Sequence, residues 1–162
     1  MKTLVAILLI CFGCQSSAQA LGLTVQLPFW AEQKWQTFAE REGLTISTRI
    51  NPFVWRGDFD GDGQADFAIL VTRIGSKKEG IVLLLKAKQP LVLGAGNSFG
   101  NGGDDFSWLD LWHVEERGTA HGNYRGQSVR LTADGLVVAK DSSASALIYL
   151  DRGKPKWQQY GD

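Results

Sequence analysis

Apolar and polar positions along this chain mostly alternate with a period of two. Only one stretch keeps the period of a helix. Ala31, Trp35, Phe38 and Ala39 fall at i, i+4, i+7 and i+8, one face of an α-helix. Glu32, Lys34, Glu40 and Arg41 lie mostly off that face, Pro28 precedes it, and Gly43 suits a C-cap. The spacing predicts an amphipathic helix packed on a sheet. Leu23 to Leu27 alternate weakly, as a short strand does. Leu44 to Ile50 reads as a half-buried strand that Asn51-Pro52 breaks, and Phe53 to Arg56 follows. Ala65 to Ile74 and Ile81 to Leu85 are nearly continuous apolar runs, the pattern of strands buried on both faces. The exposed turn Gly75 to Gly80 joins them, and Leu91 to Leu93 resumes after Pro90.

Phe106 to Trp112 ends as a strand, and the polar stretch Glu115 to Gly126 reads as a surface loop. Ser128 to Thr132 and Leu136 to Lys140 flank the turn signal Ala133-Asp134-Gly135. Ala144 to Leu150 and Lys156 to Tyr160 flank Asp151-Arg152-Gly153-Lys154. Both pairs are predicted as hairpins. One helix with roughly eight to ten short strands at hairpin spacing predicts an α+β fold, mainly antiparallel β. The expected form is a sandwich-like sheet carrying one N-terminal amphipathic helix.

The first twenty residues have the pattern of a secretory signal. Lys2 supplies the positive start, Leu4 to Phe12 the apolar stretch, and Ala18-Gln19-Ala20 an A-x-A cleavage site. Residues 21–162 are then one domain of ordinary size, expected in the periplasm or outside the cell. Anchoring as a lipoprotein at Cys14 is the lesser alternative, because Cys11-Phe12-Gly13 is a poor lipobox. Both cysteines lie inside the signal, so the exported chain has neither disulfides nor a thiol nucleophile. With 17 basic and 17 acidic residues there is no argument for nucleic acid or an anionic membrane as partner.

The candidate chemistry lies in the loop Asp58-Phe59-Asp60-Gly61-Asp62-Gly63-Gln64-Ala65-Asp66. Four aspartates this close repel one another unless a hard cation joins them. Calcium takes 6–8 oxygen ligands, and a short loop supplies them from alternate side chains and a backbone carbonyl. Asp58, Asp60, Asp62 and Asp66 are the candidate carboxylate ligands, and Gln64 offers its main-chain oxygen. Magnesium ranks second because it wants a stricter octahedron. The absence of Cys and His from the loop argues against zinc. An EF-hand needs Glu at position 12, which is Ile69 here, and a following helix, where this chain has strand formers.

The run Gly57 to Phe67 resembles the calcium loop of FG-GAP and VCBS repeats. The tail from Ala146 to Asp162 is similar to the ending of small bacterial exported proteins that carry one such loop and no assigned activity. The resemblance implies Asp58, Asp60, Asp62, Gln64 and Asp66 as calcium ligands and no catalytic residue. A propeller needs several such repeats, and the chain has one. The expected role of calcium is to brace the fold.

Gly94 to Asp105 holds five glycines and reads as a long, supple loop. With Ser98 and Phe99 in it, and Trp108 and Trp112 beside it, it forms the candidate partner surface. Aromatic anchors suit a protein partner, such as a secreted enzyme or toxin, or a glycan. This is the main expectation: a calcium-binding, non-enzymatic exported domain.

The alternative is a small cell-envelope hydrolase. Gly96-Asn97-Ser98-Phe99-Gly100 fits G-x-S-x-G as a string, and Asp110 and His121 follow in triad order. Gly100 to Gly103 cannot comfortably begin the helix that such an elbow requires. Asp104 with Asp105, or Glu115 with Glu116, are the carboxylate pairs available for two-carboxylate chemistry. Asp104 and Asp105 also serve as candidate outer ligands to calcium. His113 and His121 are too few and too isolated for a zinc site.

Overall fold

The structure is a computed structural model describing residues 26–118, the backbone of 120–122, and residues 128–161. The predicted signal, Cys14 and the start of the strand expected from Leu23 lie outside these residues, as does the side chain of His121.

Helix α1 spans Phe29–Glu42 and buries Ala31, Trp35, Phe38 and Ala39, the face that the spacing picks out. Gly43 ends it in the left-handed region at φ 64°, a conformation that costs glycine little. The strands follow as β1 (Leu44–Ile46), β2 (Val54–Gly57), β3 (Asp66–Arg73), β4 (Glu79–Leu84) and β5 (Leu91–Gly94). Then come β6 (Leu111–Glu115), β7 (Ala120–Gly122), β8 (Ser128–Arg130), β9 (Gly135–Ala139), β10 (Ser145–Asp151) and β11 (Lys154–Gly161).

The first sheet is built on β3, with β4 and then β5 on one side. On the other side β1 pairs with Val71 to Arg73, and β2 pairs with Asp66 to Ile69. The strand expected over Leu44 to Ile50 therefore stops at Ile46. Ser47 N–H still donates to Leu70 O, and Leu70 N–H donates to Phe53 O, so the chain leaves the edge and rejoins it. The second sheet has the order β11-β10-β9-β6, and β7 pairs with β8 in a small ribbon. All of these pairings are antiparallel. Among the described residues there is neither a closed barrel nor a propeller, and no helix is long and apolar enough to cross a membrane.

Three layers result, and strand periodicity explains them. On β3, Phe67, Ile69 and Val71 face α1, where they pack with Trp35, Phe38 and Val82. Ala68 and Leu70 face the other way and join Ile81, Leu83 and Leu93. Across from them stand Trp112, Leu136, Val138, Ala146 and Ile148 of the second sheet. The first sheet is the middle layer, so β3 and β4 are apolar on both faces.

One predicted hairpin does not form. β8 pairs with β7, whereas β9 pairs with β10 and β6. Leu131 and Ala133 are buried, and Asp134 is held by residues of the first sheet's loop, so this turn crosses between sheets. The stretch Glu115 to Gly126, expected as loop, likewise contributes β7.

Candidate metal centre and aromatic groove

The acidic loop bridges β2 to β3 at one end of the first sheet. Its backbone is wound by aspartate side chains accepting from nearby N–H groups. Asp60 Oδ1 accepts from Asp62 N at 3.2 Å, Asp62 Oδ1 from Gln64 N at 2.8 Å, and Asp58 Oδ2 from Gly63 N at 3.0 Å. Such local bonds are what Asp favours in turns. The alternation that turns Asp58 and Asp60 to one side turns Phe59 into the core, where it is 2% exposed.

Carboxylate oxygens of Asp58, Asp60 and Asp66 converge within 4.8 Å of one another. Asp66 is fully buried at the start of β3. Its oxygens accept N–H bonds from Lys86 at 2.8 Å and Phe59 at 3.1 Å. Burial still pushes its carboxyl up to about 6, with the Asp60 charge adding to the rise and the N–H donors opposing it. Two buried oxygens accept no hydrogen bond from the loop: Asp58 Oδ1, which has no partner, and Asp60 Oδ2, which meets only the Lys88 ammonium at 3.0 Å. Buried acceptors are normally satisfied, and an all-oxygen set with unused lone pairs fits a cation. The cluster can hold a metal ion.

The expected ligand set is thus brought together in part. Asp62 lies exposed at the lip, its second oxygen 3.0 Å from the Gln64 side-chain amide, and its carboxylate is not among the converging three. Asp104 and Asp105 do not join the centre. They sit by Lys78 and Glu79, at the opposite end of β4 from Lys86. Asp104 pairs with Lys78, and Asp105 accepts the Glu79 N–H at 2.9 Å, a bond that holds its carboxyl below the usual range.

Several residues of the centre carry no periodic signal in the sequence. Asp134, from the turn before β9, accepts the Asp58 N–H at 2.8 Å and the Arg117 N–H at 3.1 Å. Its own N–H returns a bond to Asp58 O at 2.9 Å, which fastens the loop to the second sheet. Arg117 Nη1 reaches Asp58 Oδ2 at 3.2 Å, and Lys88 Nζ stands 3.0 Å from Asp60 Oδ2 as an ion pair. Lys34 of α1 donates to the carbonyls of Leu85, Lys86 and Lys88 at 2.5, 3.0 and 2.6 Å. It thereby pins the turn that presents the Lys86 N–H to Asp66.

The glycine-rich segment carries backbone hydrogen bonds of its own. Gly96 N–H donates to Asp104 O and Phe99 N–H to Gly103 O, and a 3₁₀ turn spans Gly100–Gly102. At Gly100, with φ 56°, a Cβ would lie 2.4 Å from Trp157 Cγ, so the glycine lets the indole lie against the backbone. Phe99, Phe106, Trp108 and Trp157 pack with ring centroids 5.4–6.3 Å apart. Beside them opens a groove of about 410 Å³, bordered by Asn101, Trp108, Lys140, Ser145, Trp157 and Gln159.

Of the expected partner surface, Ser98 is exposed, and Phe99 and Trp108 are partly so. Trp112 is a correction. It is 5% exposed, stacks edge-on with Trp55, and donates its indole N–H to Pro52 O at 2.7 Å. Trp157, on β11, borders the groove with Trp108 instead. Ser98 precedes a 3₁₀ turn rather than a helix, and Asp110 is occupied by the Asp141 N–H at 3.0 Å. Comparisons of the chain with protein-family models, curated proteins and solved structures each returned no match.

Proposed function

We propose that this chain is an exported, non-enzymatic binding domain braced by calcium. The observation that carries the calcium reading is the convergence of the Asp58, Asp60 and Asp66 carboxylates, with buried Asp58 Oδ1 left without a partner and Asp60 Oδ2 met only by the Lys88 ammonium. The donors are all oxygen, which suits calcium over zinc, and the resemblance of Gly57 to Phe67 to an FG-GAP loop supports the same ion. Asp62 and the Gln64 carbonyl complete the proposed shell. Because Asp134 ties this loop to the second sheet, the ion braces both sheets.

Thermal unfolding of the exported chain, in calcium and then in chelator, tests the calcium reading. At 100 times its dissociation constant, a ligand that binds only the folded state adds about 2.7 kcal/mol, a shift of several degrees. Asp60→Ala combined with Asp62→Ala should bring the melting temperature in calcium close to the chelator value. A double variant still strongly stabilised by calcium would place the ion elsewhere.

The proposed partner surface is the groove between Trp108 and Trp157. Half-buried indoles packed against a glycine segment are the kind of anchor that dominates binding energy. A protein, such as a secreted enzyme or toxin, is the leading partner class, and a glycan is the second. Arrays of purified secreted enzymes and soluble oligosaccharides should yield a ligand whose affinity falls at least tenfold on Lys140→Glu, a change at the exposed rim. A ligand unaffected by that change binds elsewhere.

A further inference from the structure

Lys88 and Arg117 both bring a cation to the acidic loop, but they meet different kinds of oxygen. Arg117 takes Asp58 Oδ2, which also accepts the Gly63 N–H, and leaves Oδ1 bare. Its position is compatible with an ion on the other oxygen. Lys88 instead stands 3.0 Å from Asp60 Oδ2, a buried oxygen that has no other partner. The two partners of this pair are unlike in freedom. The Asp60 side chain is 0% exposed, whereas that of Lys88 is 50% exposed and free to turn into solvent. The turn that carries Lys88 is itself pinned by Lys34 through three carbonyls.

We infer that Lys88 is a tethered competitor for the metal centre: its ammonium occupies the Asp60 oxygen that a divalent cation must take, and so sets the ion's affinity. This rests on the calcium reading above. A unit charge at this distance offsets carboxylate repulsion when no ion is bound and leaves the site only for a stronger charge. Monovalent cations gain too little to displace it, whereas a divalent ion also recruits Asp58 and Asp66. Lys88 thereby raises the free calcium concentration at which the domain is loaded, and protects the unloaded fold.

Calorimetric titration with calcium chloride, on wild type, Lys88→Gln and Lys88→Arg, tests this. Removing one like charge about 4 Å from the ion is worth about 1 kcal/mol even with the screening of bulk water, so Lys88→Gln should bind calcium at least about fivefold more tightly. Lys88→Arg should stay within about twofold of wild type. In chelator, Lys88→Gln should melt below wild type, because the carboxylates lose their counter-charge. Wild type that binds calcium while Lys88→Gln binds it no more tightly overturns the role of Lys88 and leaves the calcium reading standing. Wild type that binds no calcium overturns both.

Discussion

Replacing Phe59 by alanine is expected to cost the domain about 3–5 kcal/mol, the range for emptying a buried aromatic site. Phe59 belongs to the acidic loop by sequence and to the core by packing. It is 2% exposed and shares a cluster with Leu83, Phe106, Leu109 and Leu136. Its N–H is also the donor that holds one oxygen of Asp66. The substitution therefore acts twice: it opens a cavity between the sheets, and it frees the segment that spaces Asp58 from Asp60. Urea unfolding in chelator measures the first effect, and the added stability on supplying calcium measures the second. Both should fall. Phe59→Leu, which keeps most of the volume, should cost less than about 1.5 kcal/mol and retain most of the calcium response. An alanine variant that loses less than about 1 kcal/mol in chelator would mean that the loop is not anchored in the core.

What the sequence makes legible here is what depends on neighbours along the chain. The α1 face reads directly, because a period of 3.6 leaves one assignment for Ala31, Trp35, Phe38 and Ala39. The apolar runs of β3 and β4 announce burial on both faces, and the middle layer supplies it. The acidic loop is legible because its aspartates recur at alternate positions. Strand alternation, however, divides residues into two sets without naming the inner one. Leu111 and Trp112 are neighbours on β6, and the tryptophan is buried while the leucine is 57% exposed. Trp157 could not be assigned to the groove either, because the glycine segment it covers lies far away in sequence. Asp134 read as a turn residue for the same reason. Its partner, Asp58, is 76 positions away, and contacts at that range are set by how the two sheets meet.

Asp66→Ala is expected to be the most damaging of the loop's carboxylate substitutions, and to be so even in chelator. Asp66 is fully buried and accepts N–H bonds from Phe59 and Lys86, so alanine strands the Phe59 donor in the interior and the Lys86 donor at its edge. A buried unsatisfied donor costs about 1–3 kcal/mol and a part-exposed one less, which puts the loss at roughly 2–5 kcal/mol. Asp62→Ala, at the exposed lip, should cost less than about 1 kcal/mol in chelator. Both variants should lose most of the calcium response, so the chelator measurement separates scaffold from ligand. The pH dependence gives an independent sign. Burial raises the Asp66 carboxyl in the folded chain to about 6, above its ordinary 3.8. A raised carboxyl binds its proton more tightly when folded, so this contribution is full below about pH 4 and is lost as pH rises through about 6. In chelator, wild type should therefore lose stability over that interval relative to Asp66→Ala, which has no proton there to release. Saturating calcium should reverse the trend, because the ion favours the ionised carboxylate and binds more tightly as Asp66 loses its proton. If wild type in chelator instead gains stability over Asp66→Ala between pH 4 and 6, the hydrogen bonds from Phe59 and Lys86 outweigh burial. Asp66 would then be a satisfied structural carboxylate rather than one poised for a cation.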